Sequence, residues 1–246
     1  MQKNIKEEFI STLSHEIRTP LTSIKGFSQT MLNSWDKLDD ESKKKFLKII
    51  EEQSNRLIHL VENMLSVTKL QGVNNQIVYN ELSVKPAIEQ VISVIKAQYP
   101  TQEFEFEHNN NVPNIYVDRD KFQQILTNLI ENSAKYSTQI FKTLITTGIN
   151  NNSVEIKISN IGIAIAQEDY EKIFTKFARI DNPLTRKVQG SGLGLYITKS
   201  LVEKMKGRIS VESAPLENNS ELAQITFTLT FPILNIEEQA RMKCNQ

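Results

Sequence analysis

FLKIIEEQSNRLIHLVENMLSV, residues 46–67, sets the first half of the fold. Phe46, Ile50, Gln53, Leu57, Leu60, Met64 and Val67 recur at alternating steps of four and three. That spacing lines one side of an α-helix and forms the seam of a bundle or coiled coil. Toward the N-terminus, Ile10, Leu13, Ile17, Ile24, Phe27 and Met31 keep the same rhythm, with Pro20 on the seam. Proline lacks the amide that would close a helical hydrogen bond, so a bend is expected there. The segment from Trp35 to Asp40 is short and polar, which predicts an antiparallel helical hairpin. One hairpin buries only part of two apolar faces. Pairing two chains into a four-helix bundle buries the rest, so the pattern predicts a homodimer.

The heptads stop at Gly72-Val73-Asn74-Asn75. This boundary divides the chain into a helical domain, 1–72, a second domain, 73–234, and a tail, 235–246. In the second domain Val84 to Gln98 reads as a helix, whereas Phe104-Glu105-Phe106-Glu107 alternates like a strand. Ile115 to Val117 is a short strand and Lys121 to Tyr136 a strongly amphipathic helix. Leu144 to Ile149 and Val154 to Ser159 predict a hairpin around Asn150-Asn151-Asn152. A helix from Leu195 to Met205 and strands at Arg208 to Glu212 and Ile225 to Phe231 complete the pattern. Helices interspersed among strands that include an adjacent hairpin predict an α/β sandwich with a mixed sheet.

Composition narrows the function classes. Lysine plus arginine number 29 and aspartate plus glutamate number 29, so no net charge draws the chain to nucleic acid or an anionic membrane. Lys43-Lys44-Lys45 lies on an amphipathic helix and reads as a solvated face. The single cysteine, Cys244, excludes an intrachain disulfide and suits a reducing, cytoplasmic setting. No run approaches the ~18 apolar residues of a membrane span, and Met1-Gln2-Lys3-Asn4 lacks an apolar signal core. A membrane-spanning sensor, if the protein has one, is expected outside this sequence.

The first helix carries Phe9-Ile10-Ser11-Thr12-Leu13-Ser14-His15-Glu16-Ile17-Arg18-Thr19-Pro20-Leu21. His15 sits midway between the seam residues Leu13 and Ile17, roughly 200° around the helix from each, and so faces solvent. An exposed imidazole is a competent nucleophile toward a phosphoryl donor. Glu16 is placed to hold the proton of the other ring nitrogen, and Thr19 lies one turn on, suited to positioning a water. The string Ser14 to Leu21 resembles the H-box of bacterial two-component sensor histidine kinases. His59 and His108 lack such surroundings and read as ordinary residues.

Asp118-Arg119-Asp120-Lys121-Phe122-Gln123-Gln124-Ile125-Leu126-Thr127-Asn128-Leu129-Ile130-Glu131-Asn132-Ser133-Ala134-Lys135-Tyr136-Ser137 resembles the N-box of the same family. Phe122, Ile125, Leu129 and Ile130 share one face of that helix, while Asn128 and Asn132, four apart, share another. The resemblance implies that Asn132 ligates Mg²⁺, which prefers hard oxygen ligands. It also implies that Asn128, Lys135 and Tyr136 surround the phosphates or ribose of ATP. Gly190-Ser191-Gly192-Leu193-Gly194 precedes a helix directly, where backbone amides and the helix start favour phosphate. It resembles the G2 box. Phe174-Thr175-Lys176-Phe177 resembles the F-box, its rings as well suited to hinge packing as to ligand contact. Arg179 to Gln189 resembles the ATP lid, with Arg179 implied at the γ-phosphate. From Phe9 to Pro232 the order is that of the family: a HisKA-type phosphoacceptor hairpin, then a GHKL-type ATP-binding sandwich of the Bergerat fold. That sandwich is shared with DNA gyrase, certain heat-shock chaperones and the MutL mismatch-repair proteins. The implied partner is a response-regulator receiver domain docking near Ile17, Leu21 and Ile24.

One box departs from the pattern. Asn160-Ile161-Gly162-Ile163-Ala164-Ile165 stands where the family's G1 box carries an aspartate and two spaced glycines. Asn160 retains an acceptor for the adenine amine but loses the charge, a difference near ~1.4 kcal/mol, or tenfold in affinity. Ala164 adds a methyl where backbone passes close to the base. Glu217-Asn218-Asn219-Ser220-Glu221 also lacks the glycines often found before the last strand. Two functions follow as expectations. One is an autokinase that phosphorylates His15 and passes the group to an aspartate. The other is a kinase-like dimeric regulator, or a phosphatase acting through Thr19, with impaired ATP binding.

Overall fold

The computed structural model describes residues 2–71, 76–137, 142–178, 190–217 and 219–234, with the side chains of 2–10, 71, 219 and 220 left out. The chain divides into two compact units, Met1–Lys69 and Leu70–Gln246.

In the first unit α1 (Gln2–Ser34) and α2 (Asp40–Gln71) are joined by a 3₁₀ turn at Trp35–Lys37. Asp39 caps α2, its carboxylate accepting from the Ser42 amide at 2.6 Å. The seams meet as their spacing predicts. Leu13 and Met31 on α1, and Gln53, Leu60 and Val67 on α2, are buried. Phe27 and Phe46 join the two helices, with ring centroids 5.1 Å apart. The helix assignment of α1 continues through Pro20. The missing proline amide leaves the Glu16 carbonyl without its usual helical donor.

In the second unit the described strands form a five-stranded sheet, order β2-β4-β5-β7-β6, and a separate pair, β1-β3. The strands are β1 (Asn80–Leu82), β2 (Phe104–His108), β3 (Ile115–Val117), β4 (Thr143–Asn150), β5 (Ser153–Ile163), β6 (Arg208–Leu216) and β7 (Asn219–Pro232). The helices are α3 (Val84–Gln98), α4 (Arg119–Tyr136) and α5 (Gly194–Lys204). β2 and β4 pair in parallel and the other sheet neighbours are antiparallel, so the sheet is mixed. The β4–β5 turn puts Asn151 at φ 46° and Asn152 at φ 60°. Two successive left-handed residues match the twist of a tight hairpin, and asparagine tolerates them well.

Several strands exceed their predicted length. β5 runs four residues past Ser159 because β7 pairs with it from Ser153↔Pro232 to Ile163↔Leu222. β6 extends similarly along β7. β1, polar and three residues long, had no periodic signal and exists by pairing with β3. The core lies between sheet and helices: Val154, Ile156 and Ile158 of β5 and Phe122, Ile125, Leu126, Leu129 and Ile130 of α4 are fully buried. Phe122 meets Phe231 edge-on at 5.6 Å, closing the end of that core.

Candidate functional site

His15 lies exposed on α1, as its position off the seam requires. Thr19, also exposed, donates back to the His15 carbonyl at 3.2 Å. The Thr19 hydroxyl thus fixes its proton on the helix and turns its lone pairs outward. Glu16 accepts from Arg56 of α2 at 3.1 Å, with both side chains 23% exposed. Sequence reasoning missed Arg56. It flanks the α2 seam three residues after Gln53, but which residue it faces depends on the hairpin register, which no local pattern contains.

The second constellation is built on α4, whose start is fixed by Asp118. Its carboxylate accepts from the Lys121 amide at 3.1 Å, the Lys121 ammonium at 2.8 Å and the Val78 amide at 3.1 Å. Burial pushes this carboxyl up, but the hydrogen bonds from Lys121 and Val78 outweigh it and hold it below the usual range. Further along, Asn128 donates through Nδ2 to the buried Thr198 hydroxyl of α5 at 2.7 Å. A methyl group at Gly194 would collide with the Asn128 amide oxygen. Asn128 therefore packs under the first turn of α5, and Gly194 is glycine because α4 passes so close. Thr198, another residue missed from sequence, sits one helical turn after Gly194; only the fold reveals its partner.

Asn132 is half-buried one turn beyond Asn128. Lys135 pairs with Glu131 at 2.8 Å, and Glu131 also accepts from the Tyr99 hydroxyl at 3.4 Å. Burial, reinforced by the Glu131 charge, pushes the Tyr99 hydroxyl up to about 12. Tyr136 touches two of the glycine segments. A Cβ on Gly162 would lie 2.6 Å from the Tyr136 carbonyl, and one on Gly190 would lie 3.6 Å from its hydroxyl. Asn160, Gly162, Tyr136 and Gly190 are therefore neighbours.

The glycine loop is held from behind. Gly192 adopts φ +66°, and a Cβ there would come within 2.7 Å of the Phe177 backbone. Phe177 itself has φ 61°, a left-handed conformation that costs a bulky residue energy and marks a tightly determined spot. Ser191 accepts from the Leu193 amide at 3.3 Å, and Leu193 is fully buried. Phe174 packs edge-on to Phe227 at 6.4 Å, which assigns this ring to the core. Arg179 and the stretch to Gln189 lie outside the described residues.

The residues present suit a nucleotide. Asn160 is 3% exposed, and among the described residues its Nδ2 has no hydrogen-bond partner. A buried donor without a partner calls for an explanation, and an acceptor on a bound base would supply one. For a divalent ion the described residues offer no cluster of three or more histidine, cysteine or acidic side chains. The Asn132 amide oxygen is a hard donor that would need phosphate oxygens to complete a shell. No described helix is long and apolar enough to cross a membrane.

Comparison with known proteins agrees with this arrangement. Residues 5–72 match the His Kinase A (phospho-acceptor) domain, and residues 117–235 match the histidine kinase-, DNA gyrase B-, and HSP90-like ATPase. The signal transduction histidine-protein kinase ArlS of Staphylococcus haemolyticus is 31% identical over 85% of this chain and 46% of its own length. The sensor histidine kinase WalK of Bacillus subtilis is 31% identical over 92% of this chain and 37% of its own. The chain thus spans less than half the length of either. Among solved structures, histidine kinase ThkA in complex with response regulator protein TrrA aligns with a TM-score of 0.73 at 26% identity, covering 95% of this chain and 63% of that one. Acinetobacter baumannii histidine kinase AdeS aligns at 0.65 with 25% identity, covering 90% and 98%.

Proposed function

As this chain belongs to the sensor histidine kinases, we propose that it uses ATP to phosphorylate its own His15 and passes the phosphoryl group to an aspartate of a response-regulator receiver domain. The observation that carries this reading is the exposed His15, standing on a phosphoacceptor hairpin in the same chain as an ATPase-type domain. A ring nitrogen of His15 attacks the terminal phosphorus of ATP; the P–N bond forms as the bond to ADP breaks. Glu16, held by Arg56, accepts the proton of the other ring nitrogen and compensates the positive charge that develops. In the second step the P–N bond breaks and the partner's carboxylate takes the phosphoryl group.

Asn128 braces the glycine loop through α5, and Lys135, Tyr136 and the loop from Gly190 to Gly194 surround the phosphates and ribose. Arg179 stabilises the γ-phosphate. Asn132 would hold Mg²⁺, which would supply neutralisation of phosphate charge. The domains are the helical hairpin 1–72, the ATP-binding domain 73–234 and the tail 235–246. The hairpin pairs with a second copy as a four-helix bundle. Supporting this, Leu47, Ile58, Val61 and Leu65 leave a second apolar stripe exposed on α2. The receiver domain docks beside Leu21, close to His15.

Incubation with Mg²⁺ and γ-labelled ATP tests the reading: label stable to alkali and lost in acid is expected. Asn160 and Ala164 favour a second reading, a regulator or a phosphatase acting through Thr19. Absence of label, with a receiver's aspartyl phosphate nevertheless hydrolysed faster in the presence of the chain, would establish that alternative.

A further inference from the structure

Along β5 the buried row facing α4 reads Val154, Ile156, Ile158, Asn160, Gly162. Branched hydrocarbon gives way to one amide and then to bare backbone. A lone buried amide donor costs roughly 1–3 kcal/mol unless something accepts from it, and among the described residues nothing accepts from Asn160 Nδ2. The surroundings are close-packed backbone. Its Nδ2 lies 3.3 Å from where a Cβ on Gly162 would be, and the Tyr136 carbonyl lies 2.6 Å from that point, so the bare glycine is what lets the last turn of α4 come this close to the amide. The orphan amide thus meets the last turn of α4 at the edge of the proposed nucleotide site.

We propose that Asn160 reads the six-position edge of a purine and admits both 6-amino and 6-oxo purine nucleoside triphosphates. This rests on the nucleotide-binding reading above and adds the base specificity. Adenine presents an N–H donor at position six beside an acceptor at N1. Hypoxanthine presents the reverse, an O6 acceptor beside an N1–H donor. An asparagine amide carries one acceptor and one donor side by side, and a half-turn about its terminal bond exchanges them. It can therefore make two hydrogen bonds to either edge. An ionised aspartate carries acceptors alone and offers O6 nothing. A site that leaves a polar group unpaired discriminates strongly; one that re-pairs it does not.

The test is a pair of dissociation constants, for ATP and for inosine triphosphate with Mg²⁺, measured by competition against a fluorescent nucleotide on the purified chain and on Asn160→Asp. Inosine triphosphate is the probe because it differs from ATP only along this edge. The wild-type constants are expected within tenfold of each other, and Asn160→Asp is expected to widen the ratio at least tenfold in favour of ATP. ATP binding with inosine triphosphate more than tenfold weaker in the wild type overturns the proposal and leaves nucleotide binding standing. So does an unchanged ratio in a folded Asn160→Asp. Failure of the wild type to bind either nucleotide overturns both.

Discussion

The hairpin and the ATP-binding domain hold their polar residues in opposite ways. On the hairpin His15 and Thr19 stand in solvent, Thr19 bonded back to its own helix, while Glu16 is tied across to Arg56. In the second domain Asn128 is packed against Thr198 and Gly194, and Gly192 against the Phe177 backbone. The chemistry proposed for the hairpin is thus separable from stability, whereas in the second domain the residues proposed to shape the site also hold it together.

The sharpest attempt to break this contrast is His15→Gln. It should abolish acid-labile label completely while ATP affinity stays unchanged and thermal unfolding moves by no more than about 0.5 kcal/mol. Persistent label would refute the assignment of His15. Gly194→Ala should show the reverse coupling. Its methyl group meets Asn128, so we expect a loss of about 1–3 kcal/mol in denaturant unfolding of the domain, together with at least tenfold weaker ATP binding. Wild-type stability in this variant would mean that α4 and α5 are not clamped there.

Asp118→Asn sharpens the comparison through pH. The carboxyl is held below its usual range by Lys121 and Val78, so its contribution is fully present above the unfolded value of about 3.9 and is lost as pH falls through the lower folded value. At pH 7 the variant should lose about 1 kcal/mol. The gap from wild type should close below pH 4, as followed by urea unfolding; a gap that widens in acid would contradict the assigned sign. The smallest effect is expected of Arg56→Ala. A partly exposed pair is worth about 0.2–1 kcal/mol, so labelling should slow by up to about fivefold. Arg56→Lys should restore part of the rate, and ATP affinity should not move.

How much the sequence revealed follows the same division. The two seams, the exposure of His15, the helix carrying Asn128 and Asn132 and the asparagine turn all rest on local periodicity or local backbone preference, and each is found at its expected residues. The parallel β2–β4 pair, the small β1–β3 ladder and the lengths of β5, β6 and β7 rest on pairing between distant segments. The same holds for Arg56 and Thr198, whose partners lie 40 and 70 residues away. Asn160 stood out by its residue type, yet the loneliness of its Nδ2 depends on what α4 and β7 bring around it.

The tie between Asn128 and Thr198 also has a kinetic meaning. It joins the first turns of α5 to α4, whose apolar face is the innermost layer of the domain. Segments anchored to the core in this way exchange their amide protons only when the whole domain opens. The amides of α5 from Ile197 on, the first that donates within the helix, should therefore exchange near the rate of global unfolding, as slowly as the centre of β5. Residues that contact a ligand are usually drawn from the looser parts of a protein; the glycine loop proposed for that role here ends on a helix tied to the core.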